Sequence, residues 1–337
     1  MKQYRKLLIL GFIFSLALLS AGCTEFGMDN TPVLKDGWTI IRPPSDVESL
    51  AEDKEFIWAG GKDGIYKINR HTFEVVDGID CCPDMNYVDF VLVDKNGYLW
   101  AGFNEGAVRY DGKECILFDE KNGLSDRRVK VLYEDDEGRI LIGTWGGVSV
   151  YDNGSWTYIT SEDGLLEDMV NVIYQDDDKG MWYGSYVAPK GGVSYFKDGR
   201  WQYFTISDVL MHNNINAITQ DLNGGIWIGT GLYDRGGAVR LVLENGEWIS
   251  DKRLSKESGL SGNKVRSLFV DDKGNVWFGS EYDGLAVKKG DIFRVLARQD
   301  GLSDMEVKCF LMDSDNNLWI GTYNGITVIS GSALDYI

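Results

Sequence analysis

A six-residue stretch that returns seven times constrains this chain more than any other feature. Asn317-Leu318-Trp319-Ile320-Gly321-Thr322 has counterparts at Trp58-Ala59-Gly60, Trp100-Ala101-Gly102, Leu141-Ile142-Gly143, Trp182-Tyr183-Gly184, Trp227-Ile228-Gly229 and Trp277-Phe278-Gly279. The steps between copies are 42, 41, 41, 45, 50 and 42 residues. A unit of this size cannot bury its own apolar face, so it must stack on copies of itself. A fixed period of this length marks a β-propeller or another repeat array. All 337 residues fit such an array as one domain, and 41 glycines against 5 prolines suit short strands joined by tight turns.

Each repeat reads as four strands. The first opens on an apolar residue and closes on Asp: Val47 to Asp53, Val88 to Asp94, Val129 to Asp135, Val170 to Asp176, Ile215 to Asp221, Val265 to Asp271 and Val307 to Asp313. A polar turn leads into the Trp-x-Gly strand, and a third strand follows another Gly, as at Gly147. The fourth follows an Asn-Gly or Asp-Gly turn, as in Asn153-Gly154-Ser155-Trp156, a strong hairpin signal. Both strand faces are apolar, as expected of sheets packed between two others. The Trp reads as a wedge between blades, and its Gly as room for the backbone turn that follows.

The termini supply the ring closure. Trp38-Thr39-Ile40-Ile41 looks like a fourth strand with nothing before it, so it should be the outer strand of the last blade. Ala333 to Ile337 is the competing candidate for that place. The expected fold is therefore all-β: a seven-bladed propeller of four-stranded antiparallel blades over residues 36–337, closed by an N-terminal strand that completes the last blade.

Before it, Lys2, Arg5 and Lys6 precede an apolar run from Leu7 to Leu19 and the small residues Ser20-Ala21-Gly22. The run has the length of a signal-peptide core and is short for a bilayer span. Ala21-Gly22-Cys23 resembles a bacterial lipobox. Residues 1–22 are expected to be a lipoprotein signal peptide, Cys23 the lipidated anchor and 23–35 a tether, with ordinary secretion as the competing outcome. The expected location is the cell envelope membrane, facing the periplasm or the cell surface. Of the other cysteines, Cys81, Cys82 and Cys115 could pair in an oxidising compartment, with no connectivity readable from sequence. Cys309, in a column of small or apolar residues, reads as a buried thiol. The net charge is −18, and −21 without the three cations of the leader. Such a surface repels phosphate backbones, which argues against a nucleic-acid partner.

Asp-Gly-Leu-Ser-Asp, then Val-x-x-Leu-x-x-Asp, then Gly-x-x-Trp-x-Gly-Thr resembles the two-component regulator propeller repeat. Gly123-Leu124-Ser125-Asp126, Gly164-Leu165, Gly259-Leu260-Ser261-Gly262 and Gly301-Leu302-Ser303-Asp304 carry its linker, and the likeness runs from about residue 36 to 337. It implies an extracytoplasmic sensor domain of the kind usually fused to a membrane helix and a histidine kinase. These residues contain no second hydrophobic span and no kinase region. The resemblance is thus to the sensory half alone, tethered by lipid and expected to be monomeric.

Loops joining second to third strands should share a face with the linkers between blades. Their residues form an aromatic column, Phe103, Trp145, Tyr186, Tyr233, Tyr282 and Tyr323, with Lys62 in the odd blade. Two expansions fall there, Tyr186 to Gly191 and Leu232 to Gly236, bringing Lys190, Asp234 and Arg235. Glu281 and Asp283 flank Tyr282 in the next loop. Aromatics beside acids and amides on a rigid scaffold suit a flat polar ligand such as an oligosaccharide. The competing reading is that each packs against the neighbouring blade. A second column, Glu48, Asp89, Lys130, Asn171, Asn216, Arg266 and Lys308, could line the axis as a mixed-charge ring or satisfy itself and nearby backbone.

Signals for chemistry are weak. Asp313-Ser314-Asp315-Asn316-Asn317 has the oxygen pattern of a calcium loop but no Glu at its twelfth place, and reads as a hairpin turn. His212 sits on an inter-blade linker with no catalytic constellation in the sequence around it. No metal, cofactor or enzymatic activity is expected, a propeller lyase or hydrolase dependent on His212 being the least favoured alternative. The expected partner is a small molecule, oligosaccharide for preference, or else a membrane or periplasmic protein.

Overall fold

The computed structural model describes residues 34–76, 79, 83–186 and 190–337. Among these, seven four-stranded antiparallel sheets follow one another as blades. Blade three shows the unit plainly: Val129–Glu134, Ile140–Thr144, Gly147–Asp152 and Ser155–Ile159 pair in that order. First strands of successive blades touch in a closed cycle, with Val307–Met312 of blade seven meeting Val47–Glu52 of blade one. The core is accordingly divided. Seven apolar clusters occupy the seven gaps between neighbouring blades.

The closing Asp of each first strand explains the repeat. Asp94 accepts the backbone N–H groups of Asn96 and Tyr98 on one oxygen and the Trp100 indole N–H, at 2.8 Å, on the other. One carboxylate thus shapes the turn and anchors the tryptophan. The indole bond recurs from Trp58 to Asp53, Trp182 to Asp176, Trp227 to Asp221, Trp277 to Asp271 and Trp319 to Asp313. Blade three has Leu141 in place of Trp, and there the Arg139 guanidinium takes the Asp135 oxygen at 2.7 Å. Asp313 to Asn317 is one of these turns, as its sequence suggests.

The glycine of Trp-x-Gly serves a different purpose from the one expected. A Cβ on Gly102 would lie 2.4 Å from Val129, on Gly184 2.5 Å from Ile215, and on Gly229 2.8 Å from Val265. Each partner is the apolar residue opening the next blade. The glycine therefore lets neighbouring blades approach at the axis, and none of these three has the positive φ of a special turn.

The linker glycine faces outward in the same way. Gly123 is covered by Trp156, Gly164 by Trp201 and Gly259 by Phe293, aromatics of the next blade's fourth strand. In blade seven that place over Gly301 belongs to Trp38. Trp38–Ile41 pairs antiparallel with the third strand Gly325–Ile329, so the N-terminal strand closes the ring. The competing segment forms no strand, because Gly331–Leu334 turns into a short helix.

Candidate functional site

Every first strand carries a bulge at one position. The register slips between Val47 and Ser49, Val88 and Phe90, Val129 and Val131, Val170 and Val172, Ile215 and Ala217, Val265 and Ser267, and Val307 and Cys309. The extra residue is left out of the ladder, which re-aims its side chain. Those residues are Glu48, Asp89, Lys130, Asn171, Asn216, Arg266 and Lys308, the second column of the sequence. All seven line one cavity of about 420 Å³. Both sequence alternatives hold: the residues form an axial ring and also satisfy one another.

The ring is lopsided. Around blades six, seven and one it is a dense ionic network. Lys308, nearly buried, lies 2.5 Å from both Asp46 and Glu48. Arg266 lies 2.9 Å from Glu48, 3.1 Å from Glu281 and 3.4 Å from Glu306. Lys264 pairs with Glu281, and the Tyr87 hydroxyl donates to Glu48. Burial alone would raise the Glu48 pKa, but Arg266 and Lys308 outweigh it and hold the carboxyl at about 2. Burial dominates at Glu306 and raises it.

Across the axis the ring is amide and aromatic. Asn171 donates to the Ile215 carbonyl at 3.0 Å, and Asn216 donates to the Gly231 and Val265 carbonyls at 3.1 and 2.9 Å. Trp145, Met169 and Tyr186 complete the wall. The Arg128 guanidinium lies 4.5 Å from the Trp145 ring centre, covering one face of it. Between the halves, Lys130 lies 2.9 Å from Asp89 Oδ1, while Asp89 Oδ2 is buried with no hydrogen-bond partner. Burial raises the Asp89 pKa despite that lysine.

The first column does share a face with the linkers: the backbone N–H of Tyr186 donates to Met169 O and that of Tyr323 to Glu306 O. Its members are not equivalent. Only Trp145 and Tyr186 line the axial cavity. Tyr186, Tyr233, Tyr282 and Tyr323 are 41%, 72%, 56% and 56% exposed, whereas Phe103 is 5% exposed and unavailable. Phe103 stands where the other blades carry Thr144, Ser185 or Thr322, one place too early; Asn104 is the true counterpart of Trp145 and Tyr186. Lys62 lies elsewhere on the face, beside Tyr323 and Asp46.

Leu232 to Gly236 is not a wide loop. Leu232 pairs with Arg235, so Tyr233 and Asp234 form a two-residue hairpin tip, with Tyr233 at φ 56. Left-handed backbone is uncommon for a bulky residue. Glu281 is engaged with Lys264 and Arg266, which keep it well ionised although burial opposes them. Tyr282 donates to Glu281 at 2.7 Å, and Asp283 pairs with Lys256. Lys190, Asp234 and Arg235 are exposed, and residues 187–189 of the first expansion lie outside the described residues. So do Cys23, Cys81 and Cys82; Cys115 is disulfide-bonded and Cys309 is free. Burial lowers the His212 pKa, as do the cations Arg235 and Lys264, and its Nδ1 accepts the Asn214 N–H.

Fold and cavity together define a seven-bladed propeller with a polar axial site. The family model of the Two component regulator propeller matches three of its repeats, at residues 123–146, 259–282 and 301–324. Among curated proteins, none matches the sequence. Among solved structures, the chain is similar to the extracellular domain of the hybrid two component system BT3049 from B. thetaiotaomicron. The TM-score is 0.74 at 23% identity, over 87% of this chain and 41% of that one. The corresponding domain of BT4673 gives 0.67 at 18% identity, over 85% and 40%. Virginiamycin B lyase from Staphylococcus aureus gives 0.66 at 13% identity, over 87% and 98%. This chain thus spans about two fifths of the two extracellular domains, and at these identities the likeness shows the fold alone.

Proposed function

We propose that the chain is an exported, lipid-anchored, non-catalytic propeller of sensor type that binds an oligosaccharide at the mouth of its axial cavity. The observation that carries this reading is the convergence of Trp145 and Tyr186 with Asn171 and Asn216 on one side of the 420 Å³ space. Aromatic faces that stack and amides that fix orientation, on a preformed scaffold, are what small polar ligands use. Export and anchoring rest on the leader and Cys23, and are supported by neighbours described as extracellular domains. A thermal-shift screen of oligosaccharides tests the reading. We expect a ligand whose shift disappears in Trp145→Ala/Tyr186→Ala; no shift with any saccharide counts against it.

A second reading, a protein-interaction platform, is favoured by Tyr233, Tyr282 and Tyr323 on consecutive blades. They stand exposed outside the cavity, and Tyr233 is held in left-handed backbone at a hairpin tip. Exposed tyrosines are enriched at interfaces. Crosslinking followed by pull-down from membranes separates the two: a stoichiometric protein partner lost in Tyr233→Ala/Tyr282→Ala favours the platform.

A further inference from the structure

The hydrogen-bonding state of the axial ring narrows the ligand's chemistry. Cations alone would suggest an anion site, because four of them lie in or beside the cavity. Each is already engaged. Lys308 is shared by Asp46 and Glu48, Arg266 by Glu48, Glu281 and Glu306, Lys264 is held by Glu281, and Lys130 by Asp89. Five carboxylates stand against these four cations, so the ring carries no spare positive charge. An incoming anion would have to displace a buried internal partner, at the cost of leaving that carboxylate unpaired.

Of the four side-chain N–H donors on Asn171 and Asn216, three are committed to backbone carbonyls, both from Asn216 and one from Asn171. That orientation leaves the two Oδ1 atoms as the free ends of the amides. Asp89 Oδ2 also lacks a hydrogen-bond partner, but it is buried and out of a ligand's reach. Two amide oxygens on one wall of a small polar space favour a ligand that donates, and a site built for donors rejects analogues lacking them.

Resting on the oligosaccharide reading above, we infer that the axial site selects an uncharged, hydroxyl-donating saccharide and discriminates against uronate and sulfated saccharides. Sugar hydroxyls would donate to Asn171 and Asn216 while one ring stacks against Trp145 or Tyr186. Since no net charge is exchanged, affinity should be nearly independent of ionic strength.

The test is calorimetric titration of the purified full chain with neutral xylo-, malto- and chito-oligosaccharides, the deacetylated cationic chito-trimer, trigalacturonate and a sulfated disaccharide. We expect a neutral probe to bind at least 10-fold more tightly than both anionic probes, with less than a 2-fold change in Kd between 50 and 500 mM NaCl. Asn216→Ala should weaken that binding about 10-fold; if that variant does not fold, the wild-type comparison decides alone. Trigalacturonate or the sulfated probe binding best, with affinity falling in salt, overturns this inference and leaves the oligosaccharide reading standing. The cationic trimer binding best, with the same salt loss, also overturns it. Binding of none of the six probe types removes both.

Discussion

The two halves of the axial ring occupy equivalent bulges in equivalent strands, yet they are built for different ends. In blades six, seven and one the bulged residues are Arg266, Lys308 and Glu48, bound into one network that crosses the seam where the ring closes. In blades four and five they are Asn171 and Asn216, which spend donors on backbone and keep acceptors for the cavity. The repeat fixes where a side chain points; its identity decides whether it locks the scaffold or stays free for the proposed ligand. The charged half offers a ligand little, since its groups are committed. The amide half contributes less to holding the ring and is freer to recognise.

The largest expected effect breaks the locked half. Lys308→Met removes a nearly buried cation from Asp46 and Glu48 at once. Unfolding in urea should show a loss of about 3–5 kcal/mol, the usual cost of stranding a buried charge. Loss below about 1 kcal/mol would mean the network is not what secures the seam.

A smaller effect sharpens the contrast through pH. The Glu48 pKa is lowered to about 2 from 4.5, so its contribution is present above pH 4.5 and is lost as pH falls toward 2. Glu48→Gln should remove about 3 kcal/mol at neutral pH and flatten that acid limb. Asp89 has the opposite sign. Its folded-state pKa is raised, so its ionised form opposes folding and stability returns as pH falls through that pKa. Asp89→Asn should be neutral or slightly stabilising at pH 7. Glu306 shares the Asp89 sign, so the Glu48 term is read from the difference between wild type and Glu48→Gln.

Much of the fold was legible because it is written seven times. The Trp-x-Gly period, the Asp closing each first strand and the lone strand at Trp38 specify blade number and closure without any distance measurement. The site was legible only in part. The polar column was visible at its seven positions, but its division into halves depends on pairs such as Lys308 with Asp46, 262 residues apart, and Arg266 with Glu48, 218 apart. No local pattern reports such pairs. Phe103 misled because an aromatic near the expected place hid a register one residue short; counting from Gly102 to Asn104 would have revealed it. Glu281 looked available because its partners Lys264 and Arg266 belong to the preceding linker and first strand of its blade, outside the loop that was read as the site. The role of the Trp-x-Gly glycine was missed for a related reason: what it accommodates is the next blade.

The most direct test of the account compares the two aromatic sets against the neutral saccharide that binds best. Calorimetric Kd values would be measured for wild type, Trp145→Ala/Tyr186→Ala and Tyr233→Ala/Tyr282→Ala, each checked for an unchanged melting midpoint. At least a 10-fold loss is expected in the first pair and less than a 2-fold change in the second. Full affinity in the first pair with loss in the second would contradict it and move recognition from the axial cavity to the exposed tyrosines of blades five and six.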